Sequence, residues 1–167
     1  QYTNYVTSCD KMNDPSLGAV QLTYDSGDAI AVNCGNLSSK SSAASITFPN
    51  AVNLTCPITV TAPAGFVLAT NQQSDTYTQT VVIKPVKTGE NKGKITKKVY
   101  VRADAPENSE TDYSSNITIT GEEITTTTVT VKADVTCKTY IFKTLTHIGD
   151  EHTSNTYYAG QTIEEAP

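Results

Sequence analysis

The sequence predicts an all-β sandwich, and three features of the chain indicate that fold class. Apolar and polar residues alternate in short runs, which is the period of a half-buried strand. Threonine supplies 28 of the 167 residues, and its β-branched side chain suits the solvated face of a sheet. Turn-forming residues interrupt these runs at spacings near the roughly 8–12 residues typical of sandwiches and barrels. Because no run shows helical periodicity, two packed antiparallel sheets are expected.

The clearest strand lies within C-P-I-T-V-T-A-P-A-G-F, residues 56–66. Ile58 and Val60 alternate with two threonines, so one face is apolar and the other hydroxylated. Pro63 and Gly65 end this strand, because proline lacks a ladder donor and glycine permits a tight turn. The same pattern predicts eight further strands. Their inward-facing residues are, in chain order, Val20/Leu22/Tyr24, Ile30/Val32/Cys34, Ile46/Phe48, Phe66/Leu68, Val81/Ile83, Ile95/Val99/Val101, Ile117/Ile119 and Val129/Val131/Ala133/Val135/Cys137.

Turn and loop signals separate these strands and delimit the domain. The run N-D-P at 13–15 ends a stretch without sustained periodicity, so residues 1–16 are interpreted as a leader or as the tail of a preceding domain. The sandwich is expected to cover residues 17–137, and residues 138–167 to form a separate C-terminal segment. Loops within the sandwich are expected at 25–28, 35–42, 49–50, 70–76, 89–93, 103–112 and 121–123.

Five runs of the sequence, taken in their order along the chain, resemble a known signature. They are L-T-C-P-I-T-V-T-A-P-A-G-F at 54–66, T-V-V-I-K-P at 80–85, K-V-Y-V-R at 98–102, Y-S-S-N-I-T-I at 113–119 and T-V-T-V at 128–131. This order is similar to that of the immunoglobulin-like β-sandwich repeats of large exported bacterial surface proteins. The resemblance spans residues 17–136 and implies an immunoglobulin-like antiparallel sandwich of about seven to nine strands. The chain departs from the pattern at Cys34, Cys56 and Cys137 and in the loop 103–112.

A second resemblance concerns the C-terminal segment. The runs Y-I-F-K at 140–143 and T-Y-Y-A-G-Q-T-I at 156–163 are similar to the first two strands of an internalin-type B repeat. Such repeats follow sandwiches of this kind in surface proteins. The resemblance implies that residues 138–167 form a C-terminal β-hairpin or a truncated repeat, and that the chain is a fragment of a multi-domain polypeptide.

The four cysteines permit two disulfides but do not require them. Cys34 is in phase with Val32 and Cys56 with Ile58, so both are expected to point into the core. Inter-sheet disulfides of immunoglobulin-type sandwiches use inward positions of this sort. A Cys34–Cys56 disulfide is therefore the favoured pairing, with Cys9–Cys137 as its companion. The alternative is a set of buried thiols that behave as small hydrophobic residues.

Charge and composition bear on the class of partner and on the compartment. A net charge of −5 argues against a nucleic-acid or anionic-membrane partner, because both need clustered Lys and Arg. The one basic run, residues 92–98, is interpreted as a solvated hairpin and edge strand, where lysine deters edge-to-edge pairing. No run approaches the roughly 18 apolar residues of a membrane helix. The threonine-rich, weakly charged composition favours an exported protein, extracellular or at a cell surface.

Patterns typical of catalysis and of metal binding are not found in the sequence. It contains no G-x-S-x-G motif and no glycine-rich phosphate loop, and its carboxylates cluster in loops. We therefore expect no enzymatic activity, no cofactor and no metal. His147 and His152 lie outside metalloprotease spacing, and the acidic residues of loop 103–112 match no EF-hand, although calcium binding at that loop is left open.

The remaining candidates for ligand contact are tyrosines. Tyr77, Tyr100 and Tyr113 are possible glycan contacts, because an aromatic ring can stack on a sugar; the alternative is packing and hydrogen bonding at strand ends. The resemblance implies a non-catalytic spacer or adhesion module of a bacterial exported or cell-surface protein. Its expected partners are an extracellular glycan or protein and the neighbouring domains of a longer chain. The alternative function is a carbohydrate-binding accessory module.

Overall fold

The computed structural model describes Cys9 and residues 14–137, and this part of the chain forms a β-sandwich. The chain divides into two compact units, Gln1–Thr136 and Cys137–Pro167. The predictions for residues 138–167, for His147 and His152, and for most of the leader lie outside the described residues. No helix among the described residues is long and apolar enough to cross a membrane.

Nine strands in the described part form two sheets. The four-stranded sheet has the order β1-β3-β7-β5, and the five-stranded sheet has the order β2-β9-β8-β4-β6. A 3-10 turn at Lys40–Ser42 precedes β3. The strands are β1 Gln21–Thr23, β2 Ile30–Asn33, β3 Ala44–Thr47, β4 Ile58–Thr61, β5 Phe66–Ala69, β6 Thr80–Ile83, β7 Val99–Ala103, β8 Tyr113–Gly121 and β9 Thr127–Thr136. The predicted all-β sandwich of about nine strands is confirmed.

The core lies between the sheets and follows from the period-two alternation. In β7, Val99, Val101 and Ala103 are fully buried, whereas Tyr100 and Arg102 between them are only half-buried. β9 alternates in the same way, with its buried residues facing those of the opposite sheet. The largest fully buried side chains are Phe48, Phe66, Ile30, Ile46, Leu54, Ile58, Leu68, Ile83, Ile117 and Ile119. Burial of this apolar surface is the main force that holds the sheets together.

The four-stranded sheet has the immunoglobulin order A-B-E-D, and strands β9-β8-β4-β6 have the order G-F-C-C′, with β2 added beside β9. One difference is that the chain forms β5, in the D position, before β6, in the C′ position. The sheets were expected to be antiparallel. One pair of strands departs from this expectation, because β2 and β9 run parallel. Residues 24–29 carry the chain from one sheet to the other without reversing its direction, so β2 runs alongside β9 instead of against it.

The strand registers define two ends of the sandwich. The end at which β1 begins, called the N-terminal end, contains residues 15–20, 48–57, 84–98 and 122–126. Backbone hydrogen bonds join these segments, between Ser16 and Val52 and between Leu54 and Gly93. The opposite, C-terminal end contains residues 34–43, 62–65, 104–112 and Cys137. It is joined by hydrogen bonds from Gly35 N–H to the Pro106 carbonyl and from Asp104 N–H to the Gly65 carbonyl.

The cysteine pairing differs from the favoured prediction. Cys56 is bonded to Cys9, with their Cα atoms 5.0 Å apart. Cys34 and Cys137 are also disulfide-bonded, and each is the other's remaining partner among the four cysteines. Asn33 pairs with Thr136 in the β2–β9 ladder, so Cys34 and Cys137 are the next residues on adjacent strands.

The predicted Cys34–Cys56 and Cys9–Cys137 disulfides are therefore wrong. Strands β9 and β8 separate β2 from β4 in the sheet, which places those two strands about 14 Å apart. Cysteines can bond only when their Cα atoms lie within about 7 Å. In addition, Cys56 lies at the N-terminal end and Cys34 at the C-terminal end. An inward side-chain phase alone therefore does not identify a bonding partner.

Candidate functional site

The side chains best placed to meet a ligand lie on the outer face of the four-stranded sheet. Tyr100 and Arg102 point outward from β7, a strand with a neighbour on each side. Tyr100 lies opposite Ser45 on β3 and Ala69 on β5, both of which have short side chains. Ala69 is buried and Ser45 half-buried, so the half-buried ring of Tyr100 is exposed only in part.

Arg102 is fixed by two contacts. Its Nε donates a hydrogen bond to the Ser38 carbonyl at 2.8 Å, and its guanidinium carbon lies 4.8 Å from the ring centroid of Tyr77. At that distance the cation is attracted to the π-face of the ring. Ser38 is itself buried, and its hydroxyl accepts a hydrogen bond from the Ala103 N–H at 2.9 Å. The guanidinium is thus held in place by the loop that precedes β3 and by the ring of Tyr77.

Tyr77 belongs to the β5–β6 loop, which is fastened to the 3-10 turn at Lys40–Ser42. Lys40 forms an ion pair with Asp75 and donates to the Gln73 carbonyl at 3.1 Å. Gln72 Nε2 donates in return to the Lys40 carbonyl at 2.9 Å. The Tyr77 hydroxyl donates to the Gln72 carbonyl at 2.8 Å. These contacts fix the ring beside Arg102.

Tyr77 and Asp75 each keep one protonation state at neutral pH. Burial raises the pKa of Tyr77, which the nearby Arg102 charge opposes and Tyr100 reinforces. The phenol therefore stays neutral and acts as a hydrogen-bond donor. The hydrogen bond and charge of Lys40 lower the pKa of Asp75, so that carboxyl stays ionised at neutral pH.

Tyr113, the third predicted glycan contact, lies elsewhere and has a packing environment. It begins β8 at the C-terminal end, and its hydroxyl donates to the Gly65 carbonyl at 2.9 Å. Its ring packs on Phe66 with centroids 5.2 Å apart and planes tilted by 52°. The structure thus brings Tyr77 and Tyr100 together around Arg102 and separates Tyr113 from them.

These three residues, Tyr77, Tyr100 and Arg102, form a surface called the Tyr–Arg face. Aromatic rings beside a fixed hydrogen-bond donor are the usual means of recognising a sugar ring. One face of Tyr77 is already covered by the guanidinium, so Tyr100 is the ring left to stack on a ligand. Arg102 was not among the predicted contacts. The sequence indicated only that Arg102 lies on the outward face of β7. Its contact with Tyr77 could not be predicted, because the two residues are far apart in the sequence.

Two carboxylates outside this face have structural partners. Glu123 accepts hydrogen bonds from the backbone N–H groups of Thr55 and Cys56, at 2.8 and 2.7 Å, and from the Thr55 hydroxyl. Asp112, in the acidic loop considered for calcium, accepts from the Val135 N–H at 2.8 Å. Among the described residues, one group of potential metal ligands comes close enough together, Cys9, Cys56 and Glu122. Both of its sulfurs are in the disulfide, so it offers no thiolate ligand.

A scan against protein-family models finds no match. A search of curated proteins finds none either.

Proposed function

We propose that this chain is a non-catalytic spacer or adhesion module of a bacterial exported or cell-surface protein with several domains. The observation that carries the proposal is the placement of the two disulfides. The chain enters β1 at the N-terminal end, near the Cys9–Cys56 bond, and leaves β9 at the C-terminal end, at Cys137. When the chain enters a domain at one end and leaves it at the opposite end, domains joined in series form a row, and each domain adds its own length to that row.

Two further features support this role. Disulfides persist in oxidising compartments, so the two bonds are compatible with an extracellular protein. The ordered resemblance of residues 54–131 to repeats of bacterial surface proteins favours the same setting. The threonine-rich outer faces would keep a module of this kind solvated without a strong charge.

The test is the native size of the polypeptide, measured by immunoblot of source cells and of their culture medium. A band far larger than a 167-residue chain, in the surface fraction or the medium, is the expected result. A band of this chain's own size would overturn the multi-domain spacer role. A band confined to the cytosol would overturn export.

The Tyr–Arg face favours a second candidate function, that of a carbohydrate-binding accessory module. Tyr100 and Tyr77 lie together beside a fixed guanidinium, as this function requires. A glycan array screened with the chain should then show saturable binding that Tyr100→Ala abolishes. Tyr24→Phe is the matched control, since Tyr24 instead accepts a hydrogen bond from the Lys132 N–H. Binding that survives Tyr100→Ala would exclude this face as the glycan site.

A further inference from the structure

The positive charge of the described residues is concentrated in one short segment, residues 84–98, called here the lysine hairpin. The described part of the chain has nine Lys and Arg residues, and six of them are in this segment. All six are exposed: Lys84, Lys87, Lys92, Lys94, Lys97 and Lys98. With Glu90 as the one acidic residue, the segment carries a charge of +5. The other described residues hold eleven carboxylates and three cations, a charge of −8.

The backbone of the lysine hairpin is held firmly by the sandwich. Val86 N–H donates to the Lys94 carbonyl, and Gly93 N–H donates to the Val86 carbonyl, both at 2.9 Å. Leu54 N–H donates to the Gly93 carbonyl at 3.0 Å. Ile95 is buried in the core, with 6% of its surface exposed. The lysines therefore project from fixed positions, and a ligand would need to order only their side chains.

Among the described residues, no carboxylate forms an ion pair with these lysines. The nearby Glu123 is instead engaged by Thr55 and Cys56. Six like charges on an anchored loop repel one another, and an anionic ligand that relieves this repulsion gains affinity.

The composition of the lysine hairpin selects among anionic ligands. The segment has no arginine for bidentate phosphate contacts and no aromatic ring for base stacking. The segment itself exposes no large hydrophobic residue, and the exposed Val82 and Val52 beside it are single valines, which offer little apolar area to a bilayer. Thr88, Asn91 and Thr96 are exposed between the lysines and can pair with sugar hydroxyls.

We propose that the lysine hairpin binds a linear anionic polysaccharide, one whose sugars carry sulfate, phosphate or carboxylate groups. The ammonium groups would pair with the anionic substituents, and the threonine and asparagine side chains would meet the hydroxyls between them. This surface does not depend on the spacer role, because a free-standing protein would carry it unchanged. It is also separate from the Tyr–Arg face, which consists of β7 and β5–β6 loop residues.

The test measures binding of the full chain to dextran sulfate, with neutral dextran of the same length as the control, in 50 to 200 mM NaCl. We expect saturable binding to the sulfated polymer only, weakening as salt rises because bound counterions are released. Lys92→Gln/Lys94→Gln should weaken binding about tenfold at the lowest salt, since two charge contacts are lost. Lys132→Glu, at an exposed position of β9 outside the lysine hairpin, changes the net charge equally and should leave the affinity within about twofold.

Three results would overturn the proposal. Equal losses in Lys92→Gln/Lys94→Gln and in Lys132→Glu would mean that binding reflects net charge and not the lysine hairpin. Tighter binding to a DNA duplex, or to vesicles with anionic lipid, would assign the surface to a different class of partner. The absence of binding at 50 mM NaCl, with thermal melting confirming that the protein is folded, would remove the surface as a polyanion site.

Discussion

Position 65 accepts only glycine, for two reasons. Its φ of +94° lies in the region that side chains disfavour, and a Cβ there would lie 2.7 Å from Cε2 of Tyr113. The Gly65 carbonyl also accepts from the hydroxyl of that tyrosine. The β4–β5 turn and the start of β8 therefore meet at a point without room for a methyl group.

We expect Gly65→Ala to lower the free energy of unfolding by about 2–4 kcal/mol, from backbone strain plus the clash with the ring. Gly27→Ala is the matched control, because φ is +67° there and a Cβ meets nothing within 4 Å. Its cost should be only the backbone part, about 1 kcal/mol. Urea unfolding of both variants separates the two causes. Equal losses would contradict the proposed contact with Tyr113.

Glu123 is the second residue with a specific structural role. Glu123→Ala would leave the N–H groups of Thr55 and Cys56 without their carboxylate acceptor. We expect a loss of about 2–3 kcal/mol, because hydrogen bonds to a charged group are stronger than neutral ones. Glu122→Ala, at the exposed neighbouring position, should cost less than about 0.5 kcal/mol. Denaturant unfolding measures both, and similar values would argue against this role for Glu123.

Three tyrosines make the stability of the fold sensitive to alkaline pH. Burial raises the pKa of Tyr24, Tyr77 and Tyr113 above the ordinary value of 10.0. The folded state therefore holds these protons more tightly than the unfolded state. Their contribution to stability is complete below pH 10 and is lost as the pH rises through the raised values. Unfolding followed from pH 9 to 12 should show this loss, and Tyr113→Phe should make it shallower.

In β9, the longest strand, less exposed and exposed residues alternate along the whole length. Val131, at its centre, is fully buried. Val131→Asp should unfold the sandwich, because it places an unpaired charge in the core. Thr128→Asp, on an exposed position of the same strand, should leave a folded protein. Circular dichroism and thermal melting distinguish the two results, and an unchanged melting curve for Val131→Asp would refute the inward assignment.

The strands also show which parts of the fold can be predicted from the sequence. The inward phases of β4, β7 and β9 were predicted correctly, because burial on one face of a strand leaves a local period of two. The parallel β2–β9 pairing and the disulfide partners were not, because they depend on which strands become neighbours. Ile95 was predicted to lie in a strand; it is buried but precedes β7, since burial alone does not specify a ladder.

In the candidate site, too, residue types could be recognised from the sequence, whereas spatial neighbours could not. Tyr77 and Tyr100 were recognised as candidates by residue type, but their approach depends on how the β5–β6 loop docks onto the 3-10 turn through Lys40. Arg102 joins them only because β7 presents it on the same face. The packing role of Tyr113 depends on Gly65, which lies 48 residues earlier in the chain. No local pattern contains such a pairing.

For the whole molecule, the two disulfides determine the route by which tension crosses the domain. The backbone from Cys9 to Cys137 covers 128 residue steps. The shortest covalent route crosses from Cys9 to Cys56, returns along the chain to Cys34 and crosses to Cys137, and so contains only 22 residue steps. Every strand except β3 lies outside this route.

The full chain, stretched between its two ends by optical tweezers, should therefore reach a greater final length after reduction. The difference of 106 residue steps corresponds to roughly 370 Å at about 3.5 Å per residue. Cys34→Ser/Cys137→Ser should give an intermediate length, because 81 residue steps then separate Cys56 from position 137. Equal lengths before and after reduction would refute this connectivity. With these bonds intact, the distance that the domain can span stays short even after the sandwich has unfolded, because every strand except β3 remains inside a covalent loop.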